Sequence, residues 1–195
     1  MQLLLAGFLG VGILERNIGI VVNCGVALAA TELPAILERD YQVPMDPALV
    51  LWLTVAVFLH GLGTLGPYRT VWWWDHITHA LSASIVGGAG YATARAMDRH
   101  AADIHLPPRF LFVFILLITL AFGVLWEVLE FGIGKGAAAV GTETVLTQYG
   151  LDDSMLDLVF DTMGAVLVAT FGTAYLGGVI DALAAQLARR EQGRE

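Results

Sequence analysis

The sequence predicts an all-α protein: a polytopic membrane helical bundle of about six transmembrane helices, one domain over residues 1–195. Three observations predict it. Hydrophobic residues make up 57% of the chain and charged ones 14%, where ordinary soluble domains carry about 25% charged residues, so much of the surrounding solvent is lipid. The mean hydropathy of +0.71 excludes disordered, collagenous and nucleic-acid-binding classes. Finally, long apolar runs alternate with short polar stretches, most of them near the roughly 20 residues that a spanning helix needs.

The runs are taken in order. The first, Gln2–Leu14, is short; it either spans by carrying Glu15 and Arg16 into the headgroups or lies half-inserted. It has no basic segment before it, so it reads as an uncleaved helix and not a signal peptide. The second covers 17–33 and ends at Pro34, before the polar stretch ERDYQ. Residues 47–65 form the third. The fourth, 75–97, is rich in small residues (ALSASIVGGAGYATA), which suits close packing inside a bundle. The fifth, 110–131, follows Pro107 and Pro108, a helix-start signal. A sixth, 156–183, offers Gly164, Gly172, Gly177 and Gly178 for close contacts, and a short polar tail follows over 184–195. Cys24 is the single cysteine, which excludes an intrachain disulfide or a thiolate metal site.

Basic residues in short loops set the orientation. With the N-terminus inside, Arg39, Arg95, Arg99, Arg109, Arg189, Arg190 and Arg194 are cytoplasmic, and only Arg16, Arg69 and Lys135 are outside. The expectation is therefore a plasma (inner) membrane protein with a cytoplasmic C-terminus. The net charge of −8 argues against nucleic acid and other polyanionic partners.

This orientation brings acids and histidines together. The third helix carries His60 near its outer end, the fourth starts there with Asp75, His76 and His79, the fifth ends there with Glu127 and Glu130, and the sixth starts with Asp153, Asp157 and Asp161. Residues three or four apart share a helix face, so each helix presents a polar pair in one direction. Several carboxylates converging in a low dielectric need a cation, protons or Arg partners. A mixed Asp/Glu/His set without thiolate suits Zn, Mn, Fe or Mg, with oxygen-rich sites favouring the harder ions. The candidate ligands of a divalent metal ion are Asp75, His79, Glu127, Glu130, Asp157 and Asp161, with Glu127 and Asp157 as the candidate catalytic carboxylates.

Three stretches carry a resemblance: WWWDHITHALSA, GVLWEVLEFG and YGLDDSMLDLVFDTMGAVL. Together they resemble the YjdF-like family of uncharacterised prokaryotic inner-membrane proteins, over about residues 59–175. The resemblance implies a helical membrane fold and carries over Asp75, His79, Glu127, Glu130, Asp153, Asp157 and Gly164, with no settled activity. Asp161 stands where Asn is expected, and His76 where Lys is common. A looser likeness to VanZ-like membrane proteins assigns no function.

Simpler readings fit some of these residues. Asp152 and Asp153 suit a helix N-terminus, and the whole cluster could be solvated caps. His60 reads as a packed, hydrogen-bonded histidine, and His100 and His105 as solvated loop residues. Tyr68, Trp72, Trp73, Trp74 and Trp126 read as an interfacial aromatic belt. Three functions stay open: a membrane enzyme performing metal-assisted hydrolysis or group transfer on a lipid or envelope substrate; a cation- or proton-coupled transporter; and a non-catalytic assembly or sensing protein. A homo-oligomer would supply the transporter with a pathway that one small chain without an inverted repeat lacks.

Overall fold

The first apolar run folds over its expected length. A computed structural model describes residues 1–146, 148–171 and 173–192. In it α1 (Gln2–Leu14) doubles back on α2 (Ile18–Ala30), with Gly12 against Ile20 and the Gln2 side chain donating to Thr31 Oγ1 (3.0 Å). Asn17 Oδ1 accepts from the Ile20 amide (3.0 Å) and so caps α2, pairing a donor that the first turn leaves free. The expected stop at Pro34 is wrong. The chain turns at Thr31 and Glu32 and then forms α3 (Leu33–Tyr41), with Pro34 in its first turn, where a missing N–H costs nothing.

Asp46 caps α4 (Pro47–Gly63) through the Ala48 amide (2.7 Å). A single turn, α5 (Pro67–Thr70), was not foreseen. The long helices follow: α6 (Trp74–His100), α7 (Pro108–Val140), α8 (Leu151–Phe171) and α9 (Thr173–Gln192). Two expectations change here. α7 runs on past 131 to Gly141, whose φ of 73° ends it in the left-handed conformation that glycine adopts without penalty. The helix expected at 156–183 starts earlier, at Leu151, and the helical segments on either side of residue 172 take in residues 184–192 of the expected polar tail.

Helix α6 is the axis of the bundle, packed by α4, α7, α8 and α9. α6 and α8 run parallel: His76 faces Asp157, His79 faces Asp161, and Gly164 rests on the backbone of Ala80 and Ser84. α7 lies antiparallel to both, with Glu127 beside His79, Gly123 against Asp161 and Thr119 beside Gly87. α4 is antiparallel to α6, its Trp52 donating to Ser84 Oγ (2.8 Å). The small residues of α6 are what let these backbones approach.

The outer faces are apolar. Leu3, Leu14, Leu117 and Phe171 are between 63% and 90% exposed, a pattern that water would penalise and lipid does not. Three stretches are long and apolar enough to cross a membrane: Ile18–Tyr41, Pro108–Val140 and Leu151–Phe171; α1 and α4 are shorter apolar helices. α6 is long enough but more polar, and its small residues are buried among its neighbours. The fold is a helical membrane bundle, as the composition predicts.

The two ends of α6 differ. At its C-terminal end Arg95 pairs with Asp98 (2.5 Å), Arg99 with Asp181, and His100 Nε2 with Glu191 Oε1 (3.0 Å). His100 is thus docked on α9 instead of free in a loop, whereas His105 is exposed as expected. Below this layer the apolar core joins Tyr91, Leu111, Ile115, Ala165 and Ile180. Among the described residues the acids of the other end have no such Arg partners.

Candidate metal centre

The N-terminal end of α6 is built from its first turns. Asp75 lies in the first turn, where a carboxylate complements the helix dipole. One turn on, His79 shares its face, while His76 is rotated towards α8. α7 delivers Glu127 from the antiparallel direction, and α8 delivers Asp157 and Asp161 one turn apart.

These side chains converge on one imidazole. His79 Nε2 lies 3.8 Å from Asp75 Oδ1, 3.9 Å from Glu127 Oε1 and 4.0 Å from Asp157 Oδ2. Its other nitrogen, Nδ1, lies 3.2 Å from Asp161 Oδ1. A tetrahedral ion with bonds near 2.1 Å would hold its donors about 3.4 Å apart; donor atoms of Asp75, His79 and Asp157 lie within 4.8 Å of one another, a looser set, and Glu127 stands outside that group. Asp157 is itself fixed by His76, whose Nδ1 is 2.9 Å from Oδ1, and His76 stacks on Phe160.

Two carboxylate oxygens of the cluster, Glu127 Oε1 and Asp161 Oδ2, are buried without a partner among the described residues, as is Thr119 Oγ1 about two turns earlier in α7. The first faces His79 Nε2; the second faces Gly123, whose missing side chain leaves room for it. An unsatisfied buried carboxylate oxygen is costly, and it points to a group that binds there. Among the described residues no Lys or Arg pairs with Asp75, Glu127, Asp157 or Asp161; their ion-pair partners are histidines alone.

The loop between α7 and α8 closes the end. Gln148 Nε2 donates to Glu127 Oε2 (3.3 Å) and Ser154 Oγ (2.9 Å), and Asn23 Nδ2 donates to the Val145 carbonyl (2.7 Å). Asn23 Oδ1 therefore accepts from His60 Nε2 (2.9 Å), which leaves His60 Nδ1 to accept from the Tyr68 hydroxyl (2.8 Å). Thr78, touched by the same hydroxyl, donates to the Asp75 carbonyl (2.8 Å). This chain of neutral groups positions the start of α6. Burial pushes the Tyr149 phenol in the same loop above its ordinary pKa, while Arg69 beside it pulls the other way.

The predicted residues are distributed as follows. Asp75, His79, Glu127 and Asp157 meet at Nε2, and Asp161 sits at Nδ1. Glu130 is turned aside to accept from Trp126 Nε1 (3.0 Å), and it lines a cavity together with Asp75 and His79. Asp153 accepts from the Tyr149 amide (3.2 Å), as a capping residue does, yet with His76 and Asp157 it also forms a second group of potential metal donors. His60 is packed and bonded as expected. The aromatic belt needs correction: Tyr68 and Trp74 turn inward, Trp74 Nε1 reaching the Leu59 carbonyl (3.2 Å), whereas Trp72 is 80% exposed. Gln148, Ser154 and Asn23 carried no sequence signal; His76 was placed with Asp75 and His79 at the outer end of its helix but not among the ligands.

Residues 1–178 match the family described as "Predicted membrane protein (DUF2238)". The chain belongs to this family. It is also 30% identical, over 138 residues, to a Thermotoga maritima protein described as "Uncharacterized protein", covering 70% of this chain and 67% of that one. No solved structure matches. In this DUF2238 chain every residue of the cluster, from Asp75 to Asp161, lies inside the matched segment.

Proposed function

We propose that this DUF2238 protein is a membrane enzyme whose centre is a divalent cation held by Asp75, His79 Nε2, Glu127 and Asp157. The observation that carries the reading is the buried, partnerless Glu127 Oε1, which faces His79 Nε2 at 3.9 Å. Asp161 on Nδ1 fixes the tautomer that leaves Nε2 free to ligate, the usual carboxylate–histidine support of a metal ligand. Asp161, grouped with the ligands by its spacing, thus becomes a positioning residue, and His76 does the same for Asp157. The three-carboxylate, one-imidazole set suits Mn, Fe, Mg or Zn.

A divalent ion there would supply Lewis acidity for hydrolysis or group transfer. Glu130 lines the cavity whereas Glu127 does not, so Glu130 is the carboxylate free to take a proton from a nucleophile. The likeness to YjdF-like proteins rests on the same motifs and adds no activity. The Arg bias of the loops favours the outer face of the plasma membrane for the centre, with the C-terminus cytoplasmic. A transporter gains less support, because the packed Tyr91–Ile115–Ile180 layer and the ion pairs beneath it close the far end of the chain.

Elemental analysis of the purified protein tests the reading. Wild type should carry a stoichiometric divalent metal, and a Glu127→Gln, Asp157→Asn double variant should lose it. Metal-free wild type that keeps its fold after growth in metal-replete medium would refute it.

A further inference from the structure

The cavity beside the cluster extends far beyond what an ion needs. It measures about 740 Å³ and is walled by α2, α4, α6 and α7, within the roughly 300–1,000 Å³ usual for organic ligands. Asp75 and Val86 both line it; eleven residues apart on one helix, they are about 16 Å apart along the axis. That is close to half of the ~30 Å hydrocarbon core, the depth of one leaflet. The walls change along this length: Val57, Val86 and Phe122 line the deep part, and Asp75, His79 and Glu130 the shallow part.

The cavity also opens sideways. Val26 of α2 and Phe122 and Trp126 of α7 line it, yet they are 64%, 51% and 38% exposed. Among the described residues α2 and α7 form no packed interface. Both belong to the stretches apolar enough to cross a membrane, so the mouth faces lipid. Charge narrows the occupant further. Glu15, Asp75, Glu130, Glu143 and Asp161 line the cavity, and Arg69 is the one Arg or Lys among the described lining residues, beside His60 and His79. A purely anionic head would meet net repulsion there, while a head joining a phosphate to an ammonium matches both a cation and the acidic rim.

We infer that the cavity binds a zwitterionic phospholipid of the phosphoethanolamine type, which enters from one leaflet between α2 and α7. Its chain lies along Val86 and Phe122, its ammonium meets the acidic rim, and its phosphate faces the cation; this last contact rests on the metal reading above. The remainder of the lipid stays in the bilayer through the mouth.

Native mass spectrometry of the detergent-purified full chain tests this, with palmitoyl lysophosphatidylethanolamine and palmitoyl lysophosphatidylglycerol as probes. One equivalent of the ethanolamine lipid should bind at least about tenfold tighter than the glycerol lipid, the worth of one charge-assisted contact. Val26→Trp at the exposed mouth and Val86→Phe in the deep wall should each weaken it by a similar factor while melting temperature and metal content stay unchanged. Equal binding of the two heads, or undiminished binding by both variants, overturns the proposal. Protein that binds the ethanolamine lipid but contains no metal would keep the lipid site and remove the metal centre; metal-loaded protein that ignores both probes would do the reverse.

Discussion

Asp161 Oδ1 lies 3.2 Å from Nδ1 of His79, on the side of the ring away from Asp75, Glu127 and Asp157. One nitrogen is thus bound to a fixed acceptor, and the other is presented to three carboxylates. The first prediction follows from this division. Asp161→Asn keeps an acceptor at Nδ1 but lowers the basicity of the ring, so metal affinity should fall about 10–100-fold without being abolished. Competition against a chromophoric chelator measures it; an unchanged affinity would detach Asp161 from the ligand set.

Glu127→Gln should act differently, because it removes a donor at Nε2. Donor atoms of Asp75, His79 and Asp157 lie within 4.8 Å of one another, and two unscreened carboxylates at that separation repel by roughly 3–4 kcal/mol at an effective dielectric near 20. Chelator should therefore lower the melting temperature of wild type and hardly change that of the variant, which starts without its ion. Differential scanning fluorimetry in detergent separates the two outcomes.

A third prediction concerns helix approach. A methyl group at Gly164 would run into the backbone of Ala80 and Ser84, atoms that cannot swing away as a side-chain tip can. Gly164→Ala should cost about 1–3 kcal/mol of stability, the usual range for overpacking, and should lower metal affinity by parting α6 from α8. Gly132→Ala, where nothing lies within 4 Å, is the control and should be neutral or slightly stabilising. Equal behaviour of the two variants in thermal unfolding and metal titration would contradict this packing.

Tyr68→Phe tests the neutral network. It leaves His60 Nδ1 without its donor, at a cost of about 1–3 kcal/mol for a buried unpaired group. Stability should drop while metal stoichiometry stays at the wild-type value, since no member of this network lies at Nε2 of His79. Loss of metal in this variant would make Tyr68 part of the centre.

Topology is open to cysteine labelling, for which the native Cys24, fully buried, is a quiet background. Impermeant reagent applied to intact cells should reach cysteines placed at Arg69 and Thr142 but not at His105 or Gln192, all exposed positions. The reverse pattern would put the cluster at the cytoplasmic face.

What the sequence disclosed depended on periodicity. The limits of α1, the apolar runs, and the meeting of Asp75, His79, Glu127 and Asp157 all follow from residues three or four apart on helices of alternating direction. Features set by tertiary partners were not legible. Nothing local tells that α7 continues through Gly132 and Gly134. Asn23 reaches Val145 across 122 positions, and no spacing rule connects them. Which nitrogen of His79 faces which acid depends on the rotation of α8 against α6, a matter of Gly164 and its neighbours. Tyr68 and Trp74 looked like belt residues because composition cannot tell an aromatic ring facing lipid from one whose polar atom finds a partner inside.

One consequence follows from the parallel seam of α6 and α8. Every donor of the centre lies between Asp75 and Asp161, on α6, α7 and α8, whereas the opposite wall of the cavity comes from α2 and α4. On the function proposed above, chemistry and selectivity are thereby written in separate stretches of the chain. Val26, Ala30 and Val57 can drift to fit a new guest without disturbing a single ligand, so relatives sharing the acids and histidine need not share a substrate.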